Sequence, residues 1–159
     1  MKLDHEKLDV YQLELEFVAW ATELLDEVQR AKEPRASSVC DHFDRASLSV
    51  LFNTAEGNGK RRRNTRGKFF DDARGSATEC AACLDALVAK GICTRERVRD
   101  GKKMLLRIVS MLSKLVQLFS SADGVREDIE DYRIDDEDED EGEKDGEDEP
   151  VTDMCGSER

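Results

Sequence analysis

The sequence predicts an all-α protein, an up-down-up-down four-helix bundle over residues 1–122 followed by a disordered acidic tail over residues 123–159. Apolar residues recur every three or four positions in four segments that short breaks separate, and no alternating strand pattern competes. The charge is also divided, because residues 123–159 hold 19 acids and 4 bases whereas residues 1–122 hold 18 acids and 21 bases. Only seven of the 37 tail residues are apolar, too few to offset the entropy lost on ordering.

The first two helices are predicted at about residues 8–29 and 38–56. Pro34 lies in the break between them, since proline stops helix continuation. The second helix is expected to end at Gly57 and Gly59 in a left-handed conformation. The first helix carries two apolar stripes, one of Leu8, Tyr11, Leu15, Val18, Thr22 and Leu25 and the other of Leu13, Phe17, Trp20, Leu24 and Val28. The inward face of the second helix is Val39, Phe43, Ala46 and Val50.

The third and fourth helices are predicted at about residues 64–90 and 94–121. Asn64 or Thr65 is expected to cap the third helix, and Thr94 the fourth. The apolar arc of the fourth helix covers roughly half its circumference, wider than the ~100° that one buried side needs. Together with the two stripes of the first helix, this arc predicts self-association. The inward residues of the third helix are predicted to be Phe69, Ala73, Cys80, Leu84 and Leu87.

Six cations and no acid occupy residues 60–68, between the second and third helical patterns. Cations at the start of a helix oppose its dipole, which suggests that they serve a ligand. Arginine forks match phosphate oxygens and few aromatic residues flank them, so we expect sequence-independent contact with an RNA or DNA backbone. A solvated loop is the alternative. The predicted nucleic-acid-binding residues are Lys60, Arg61, Arg62, Arg63, Arg66 and Lys68, extended by Arg95, Arg99, Lys102 and Lys103 of the fourth helix.

A set of polar residues recurs at a spacing of three on the second and third helices, which places each pair on one helix face. We expect a buried or half-buried structural network there, with Arg61 or Arg74 as the counter-ion. A carboxylate pair that performs acid–base catalysis is the alternative. The members of the expected structural polar network are Asn53, Glu56, Ser76 and Glu79.

No pattern in the sequence predicts an active site, a metal site or a cofactor. Cys80 and Cys83 lie in mid-helix, away from the helix N-terminus that lowers a thiol pKa, so we predict core cysteines. Neither histidine completes the Glu-x-x-His motif of a di-metal bundle. An acidic stretch around Asp136 lacks the glycine that a calcium loop needs at its sixth position. We therefore expect no catalytic residues, no enzyme activity, no bound metal and no cofactor.

The sequence also predicts a cytoplasmic protein without a membrane segment. The longest uncharged run, residues 46–55, is ten residues long, against the roughly 20 that a span requires. The N-terminus has no apolar signal segment, and five cysteines without an export signal predict reduced thiols. The acidic tail is expected either to aid solubility or to mimic nucleic acid and compete for the basic residues.

Two motifs about 20 residues apart resemble those of a bacterial family. The first runs from Ser49 to Gly57 as Ser-x-x-x-Asn-x-Ala-Glu-Gly, and the second runs from Ala73 to Glu79 as Ala-x-Gly-Ser-x-x-Glu, with a basic turn between them. They are similar to the motifs of the four-helix bundle protein family, first noticed as proteins encoded in intervening sequences of 23S ribosomal RNA genes. The accessory variability protein of diversity-generating retroelements shares the fold. Thr54 stands where isoleucine is usual.

The resemblance implies a ring-shaped homopentamer with a basic surface that binds nucleic acid. For the retroelement members it implies a reverse transcriptase as the protein partner. Residues and resemblance together predict a non-enzymatic, oligomeric, nucleic-acid-binding accessory protein. The alternative is a structural scaffold that binds a protein partner and no nucleic acid.

Overall fold

The computed structural model of the chain describes residues 2–120. A short 3-10 turn, His5–Lys7, precedes four helices: α1 (Asp9–Arg30), α2 (Ser37–Gly59), α3 (Arg63–Ala89) and α4 (Arg95–Ser120). No strand occurs in this part of the chain, so the predicted all-α class is confirmed. None of the helices described combines the length and the apolarity that crossing a bilayer requires. The predicted tail, residues 123–159, lies outside the described residues.

The four helices close around one core. α2 packs on α1 and α3, and α4 packs on α3 and α1, as short connections between antiparallel neighbours require. The centre is filled by the rings of Phe17, Phe43 and Phe70, which are all buried. The rings of Phe17 and Phe43 meet edge-on with their centroids 6.0 Å apart. Phe70 occupies the inward position predicted for Phe69. The four-helix bundle prediction is confirmed.

The two apolar stripes of α1 have different surroundings. The stripe that contains Phe17 and Trp20 faces the core. The Trp20 indole lies directly against the backbone of α4, because a Cβ built on Gly101 would be 2.1 Å from Trp20 Cζ3. The other stripe is more open, and Leu15 is 41% exposed in the single chain. Trp20 therefore belongs to the contact between α1 and α4 within one protomer.

The end of α2 differs from the prediction. The helix continues to Gly59, three residues beyond Glu56. Neither Gly57 nor Gly59 adopts the expected left-handed conformation; among the glycines described, Gly91 does so, with φ 71°. The missing side chain of Gly57 has another consequence, since a Cβ there would lie 2.9 Å from the Cβ of Phe69. Glycine at this position permits the close approach of α2 and α3.

The helix caps are partly as predicted. α3 begins at Arg63, and no side-chain hydrogen bond caps it. The expected cap at Asn64 or Thr65 is wrong, because the chain is already helical at both positions. The cap of α4 is confirmed, since the Thr94 hydroxyl accepts a 3.2 Å hydrogen bond from the backbone N–H of Arg97.

One carboxyl group is buried in the core of the bundle. Glu14 is 1% exposed, and its Oε1 accepts a 2.7 Å hydrogen bond from the Thr54 hydroxyl. Its Oε2 has no hydrogen-bond partner among the described residues. Desolvation raises the pKa of Glu14 to about 8, and the hydrogen bond from Thr54 opposes this rise only in part. The carboxyl group is therefore mainly protonated at neutral pH.

Candidate nucleic-acid interface

The basic turn, defined as residues 60–68, joins α2 to α3 at one end of the bundle. Only Lys60, Arg61 and Arg62 connect the two helices, and the remaining residues form the beginning of α3. The N-terminus of a helix carries unpaired N–H groups and the positive end of the helix dipole. The backbone and the side chains therefore add to the same positive potential at this end of the molecule.

Two of the six cations, Arg63 and Arg66, contact the C-terminal end of α4, and Arg66 also bonds to α2. Arg63 Nη2 donates a 2.7 Å hydrogen bond to the carbonyl oxygen of Leu118, and Arg66 Nη2 donates a 3.0 Å bond to Asn58 Oδ1. Their guanidinium carbons lie 5.3 and 4.6 Å from the ring centre of Phe119. An arginine that donates a hydrogen bond to a carbonyl oxygen in the last turn of a helix, and that stacks on a ring of that helix, stabilises its packing. These two side chains therefore fix the position of the basic turn.

The other cations are placed differently. Arg61 and Lys68 are exposed, and neither forms an ion pair with any residue in the range 2–120. Lys60 pairs with Glu56 over 2.8 Å. An exposed pair of this kind contributes only about 0.3–0.5 kcal/mol, so a phosphate group can displace the carboxylate. Arg62 is half-buried at the N-cap position of α3.

A polar network crosses from α2 to α3. The hydroxyl oxygens of Ser49 and Ser76 are 2.9 Å apart, and Asn53 Nδ2 donates a 3.1 Å hydrogen bond to Ser49 Oγ. Asn53 and Ser76 are thus joined as expected, but through Ser49, which the sequence argument did not select. The signal was available, because Ser49 precedes Asn53 by four positions and so shares its helix face.

The two carboxylates assigned to this network lie outside it. Glu56 and Glu79 are 51% and 58% exposed. Glu56 pairs with Lys60 rather than with either of the arginines expected, and Glu79 lies 3.4 Å from Nε2 of His42. The i, i+3 spacing correctly placed Asn53 with Glu56, and Ser76 with Glu79, on one helix face. That face lies only partly within the contact between α2 and α3. Its outer residues therefore reach solvent.

A family model described as 23S rRNA-intervening sequence protein matches residues 6–114. The chain belongs to this family. The matched range includes α1, α2, α3 and most of α4, and with them the basic turn and the network around Ser49. No curated protein matches the chain.

In this member of the family, both motifs quoted from the sequence set how α2 meets α3. Ser49 and Ser76 bond across the middle of the contact, and Ala73 is fully buried. Gly57 permits a close approach of the two helices directly before the basic turn. The motif residues therefore position the cations, whereas the exposed cations are the groups available to a ligand.

A second basic group lies at the opposite end of the bundle from the basic turn. We call it the α4 basic cluster, and it consists of Arg95, Arg99, Lys102 and Lys103. Lys102 pairs with Asp85 near the end of α3. Asp85 follows Arg63 by 22 positions in the same helix, which corresponds to about 33 Å. The expectation that this cluster extends the basic turn is therefore wrong, because antiparallel packing places the start of α4 beside the end of α3.

The cysteines of α3 belong to the core. Cys80 and Cys83 are buried, and burial raises the pKa of Cys80 to about 12 and that of Cys83 above its ordinary value. Both thiols are protonated at neutral pH, which makes them poor nucleophiles. Within residues 2–120, no group of three or more His, Cys, Asp or Glu side chains is arranged to hold a metal ion.

Proposed function

We propose that this protein is a non-enzymatic, oligomeric nucleic-acid-binding accessory protein whose basic turn contacts the phosphate backbone of RNA or DNA. One observation carries the proposal: Arg61 and Lys68 are exposed cations without ion-pair partners in residues 2–120, on a turn whose position Arg63 and Arg66 fix. Cations held in place lose less entropy when they meet a ligand than cations on a free loop do. The family name refers to 23S rRNA, which makes RNA the first ligand to test.

The chemistry of the turn favours binding without sequence preference. Arginine and lysine contact phosphate oxygens directly and carry no base-specific information in that role. The ring of Phe119, which Arg63 and Arg66 cover, is buried and cannot stack on a base. The proposed ligand is therefore a phosphate backbone in RNA or DNA, and the ionic strength sets the affinity.

Self-association would multiply these contacts. Leu15 is a large apolar side chain of α1 that is exposed on the single chain, as expected for a residue that another copy covers. A ring of five subunits, which the resemblance implies, would present five basic turns to one nucleic acid. Light scattering tests this part of the proposal, because a mass that stays near 18.0 kDa at micromolar concentration describes a monomer.

The binding experiment compares two double variants that remove the same charge from opposite ends of the bundle. Arg61→Ala with Lys68→Ala removes the exposed cations of the basic turn, and Arg95→Ala with Arg99→Ala is the matched control. Fluorescence anisotropy with a labelled RNA duplex should give a dissociation constant at least tenfold higher for the first variant and little change for the control. Equal losses in both would mean that net charge, and not the turn, governs binding.

Salt dependence provides a second criterion. Four phosphate contacts for each binding site predict about a hundredfold loss of affinity between 50 and 200 mM salt. The turn variant should give a shallower slope because it releases fewer counterions. Binding that does not change with salt would contradict contact through phosphates.

A scaffold that binds a protein partner without nucleic acid is the second candidate. The ring of Phe52 favours this candidate, because it is 62% exposed and packing within the bundle does not cover it. An exposed aromatic ring of this kind suits a contact with a protein partner. A reverse transcriptase is the partner that the resemblance implies. Pull-down of that enzyme by the wild-type protein in the presence of nuclease, and its loss in Phe52→Ser, would favour the scaffold.

A further inference from the structure

A groove with an apolar floor and a basic rim lies between the end of α3 and the start of α4, with a volume of about 610 Å³. Val88 and Val98 line its floor, and Leu106 stands at its edge with 73% of its surface exposed. The α4 basic cluster supplies the rim. Leu106 lies on the solvent side of α4 among these cations, so packing within the bundle does not account for it. An apolar side chain among bases suits a partner that is both apolar and acidic.

Two cations of the rim, Arg99 and Lys103, form weak surface pairs along α4. Lys102 instead pairs with Asp85 of α3, which also lines the groove. Arg99 lies 3.9 Å from Glu96, and Lys103 lies 3.2 Å from Asp100. The four side chains of these two pairs are each more than 60% exposed. Exposed i, i+3 pairs of this kind contribute little to stability. Arg99 and Lys103 can therefore exchange these carboxylates for those of an incoming acidic segment.

We propose that this groove binds residues 127–136 of the chain's own acidic tail. This segment, Glu-Asp-Ile-Glu-Asp-Tyr-Arg-Ile-Asp-Asp, has six acids, one base and three apolar side chains: Ile129, Tyr132 and Ile134. Its composition matches an apolar floor with a basic rim. The next thirteen residues, 137–149, contain ten acids and no apolar residue, so they complement the charge of the rim but not the floor.

The length of the chain after Ser120 suits this path. Ser120 follows Leu106 by 14 positions and Lys102 by 18, which places these two residues about 21 and 27 Å back along α4. Asp123 and Gly124 are residues that favour a reversal of the chain. From Gly124 to Tyr132 is eight residues, which span about 26 Å when extended. Tyr132 thus reaches the groove between Leu106 and Lys102 when the segment runs antiparallel to α4.

Tethering favours the chain's own tail over other acidic ligands. A flexible linker of a few residues gives an effective concentration on the order of millimolar, far above the micromolar concentration of free chains. A segment with a dissociation constant on the order of 0.1 mM would therefore occupy the groove about nine-tenths of the time. Exchange of its backbone amides should be slowed about tenfold.

Hydrogen exchange in the full-length protein, without nucleic acid, tests the docking. The amides of residues 127–136 should exchange about tenfold more slowly in the wild type than in Leu106→Asp. Leu106 is exposed, so this change should leave the bundle folded, and thermal unfolding verifies that it does. Leu3→Asp is the matched control, because Leu3 is similarly exposed and lies outside the groove. Equal exchange rates in the wild type and Leu106→Asp would overturn the proposal.

A change on the tail side provides an independent criterion. Tyr132→Ser should shift the backbone NMR signals of Val98 and Leu106, whereas Val151→Ser, beyond the segment, should not. If added RNA moves these groove signals while Tyr132→Ser leaves them unchanged, the groove is a nucleic-acid surface and the proposal is wrong.

A mixing experiment separates the chain's own tail from that of a second copy. Leu106→Asp protein, with an intact tail, is mixed with Tyr132→Ser protein, with an intact groove. Protection of the intact tail in this mixture would place it in the groove of another chain and contradict the intramolecular assignment. Continued rapid exchange supports it. None of these measurements depends on binding at the basic turn, so they can succeed or fail separately from the proposed function.

Discussion

Thr54 donates a hydrogen bond of 2.7 Å to Oε1 of Glu14 across the contact between α1 and α2. Both side chains are almost completely excluded from water. In the family pattern that the chain resembles, isoleucine stands at the position of Thr54. The hydroxyl and the carboxyl group therefore form a matched polar pair in the core, and the loss of one leaves the other unsatisfied.

The stability of the bundle should fall as the pH rises from about 4.5 to about 8. Burial raises the pKa of Glu14 from its ordinary 4.5 to about 8, so in this window the folded chain keeps a proton that the unfolded chain has released. The free energy of unfolding contributed by this group then decreases by about 1.4 kcal/mol per pH unit and levels off above the folded pKa.

Glu14→Gln isolates this contribution, because the amide keeps an acceptor for Thr54 but does not titrate. Urea unfolding at several pH values should give a difference between the wild type and Glu14→Gln that changes across the window. The variant should be the more stable protein at pH 8. Parallel pH profiles for the two proteins would show that Glu14 ionises at its ordinary pKa.

Thr54→Val should destabilise the bundle at pH 6 by about 1–3 kcal/mol, because it leaves a buried carboxyl group without a hydrogen bond. The double variant Glu14→Leu with Thr54→Ile replaces both polar groups by apolar ones and should be more stable than Thr54→Val alone. A double-mutant cycle measures the coupling: chemical denaturation gives the free energies of unfolding of the wild type, of Glu14→Leu, of Thr54→Ile and of the double variant. Strict additivity would contradict the coupling of the two residues.

Arg63→Ala should lower the free energy of unfolding by about 1–2 kcal/mol, since it removes a charge-assisted hydrogen bond to the Leu118 carbonyl and a contact with the Phe119 ring. Arg61→Ala is the control on the neighbouring turn and should change stability by less than about 0.5 kcal/mol. Thermal unfolding distinguishes the two. The order of the two variants should be reversed in nucleic-acid binding. When both proteins are folded, Arg61→Ala should raise the dissociation constant more than Arg63→Ala does.

Gly101→Ala should destabilise the bundle, because the added Cβ would lie 2.1 Å from the Trp20 ring, so the indole would have to move away from α4. Overpacking of this kind costs about 1–3 kcal/mol. Gly75→Ala, in the open on α3, should instead stabilise the helix by about 0.5–1 kcal/mol. Combining Gly101→Ala with Trp20→Leu should restore part of the loss. A neutral Gly101→Ala would mean that the indole lies elsewhere in solution.

Much of the fold followed from periodicity. The spacing of Phe43, Ala46 and Val50 identified the inward face of α2, and Thr94 marked the start of α4, because local rules govern both. The end of α2 did not follow from such rules. Gly57 suits a left-handed helix end, but packing against Phe69 uses it for close approach, and a tertiary contact of this kind has no signature in the local sequence.

The candidate site was predictable in composition and less so in arrangement. The charge count located the basic turn, yet it could not separate Arg61 from Arg63, since only the packed position of α4 brings the Leu118 carbonyl to Arg63. The sequence prediction joined the α4 basic cluster to the basic turn, although the antiparallel bundle predicted from the same sequence places the start of α4 beside the end of α3, away from the turn. Glu14 fell between the two apolar stripes of α1, and its burial depends on Thr54 of another helix.

The point at which the chain leaves α4 has a consequence for the speed of encounter with nucleic acid. Ser120 ends α4 beside the basic turn, with its Oγ 3.5 Å from where a Cβ on Gly67 would lie. The 37 tail residues from 123, with 19 acids and 4 bases, therefore begin close to the cations that an approaching phosphate backbone must reach. At low salt the Debye length is about 30 Å. The net negative charge of the tail therefore repels the incoming strand even when residues 127–136 are docked at the other end of the bundle, and this repulsion offsets the attraction of the turn. Added salt screens both fields, so the association rate constant should change little with ionic strength while dissociation accelerates.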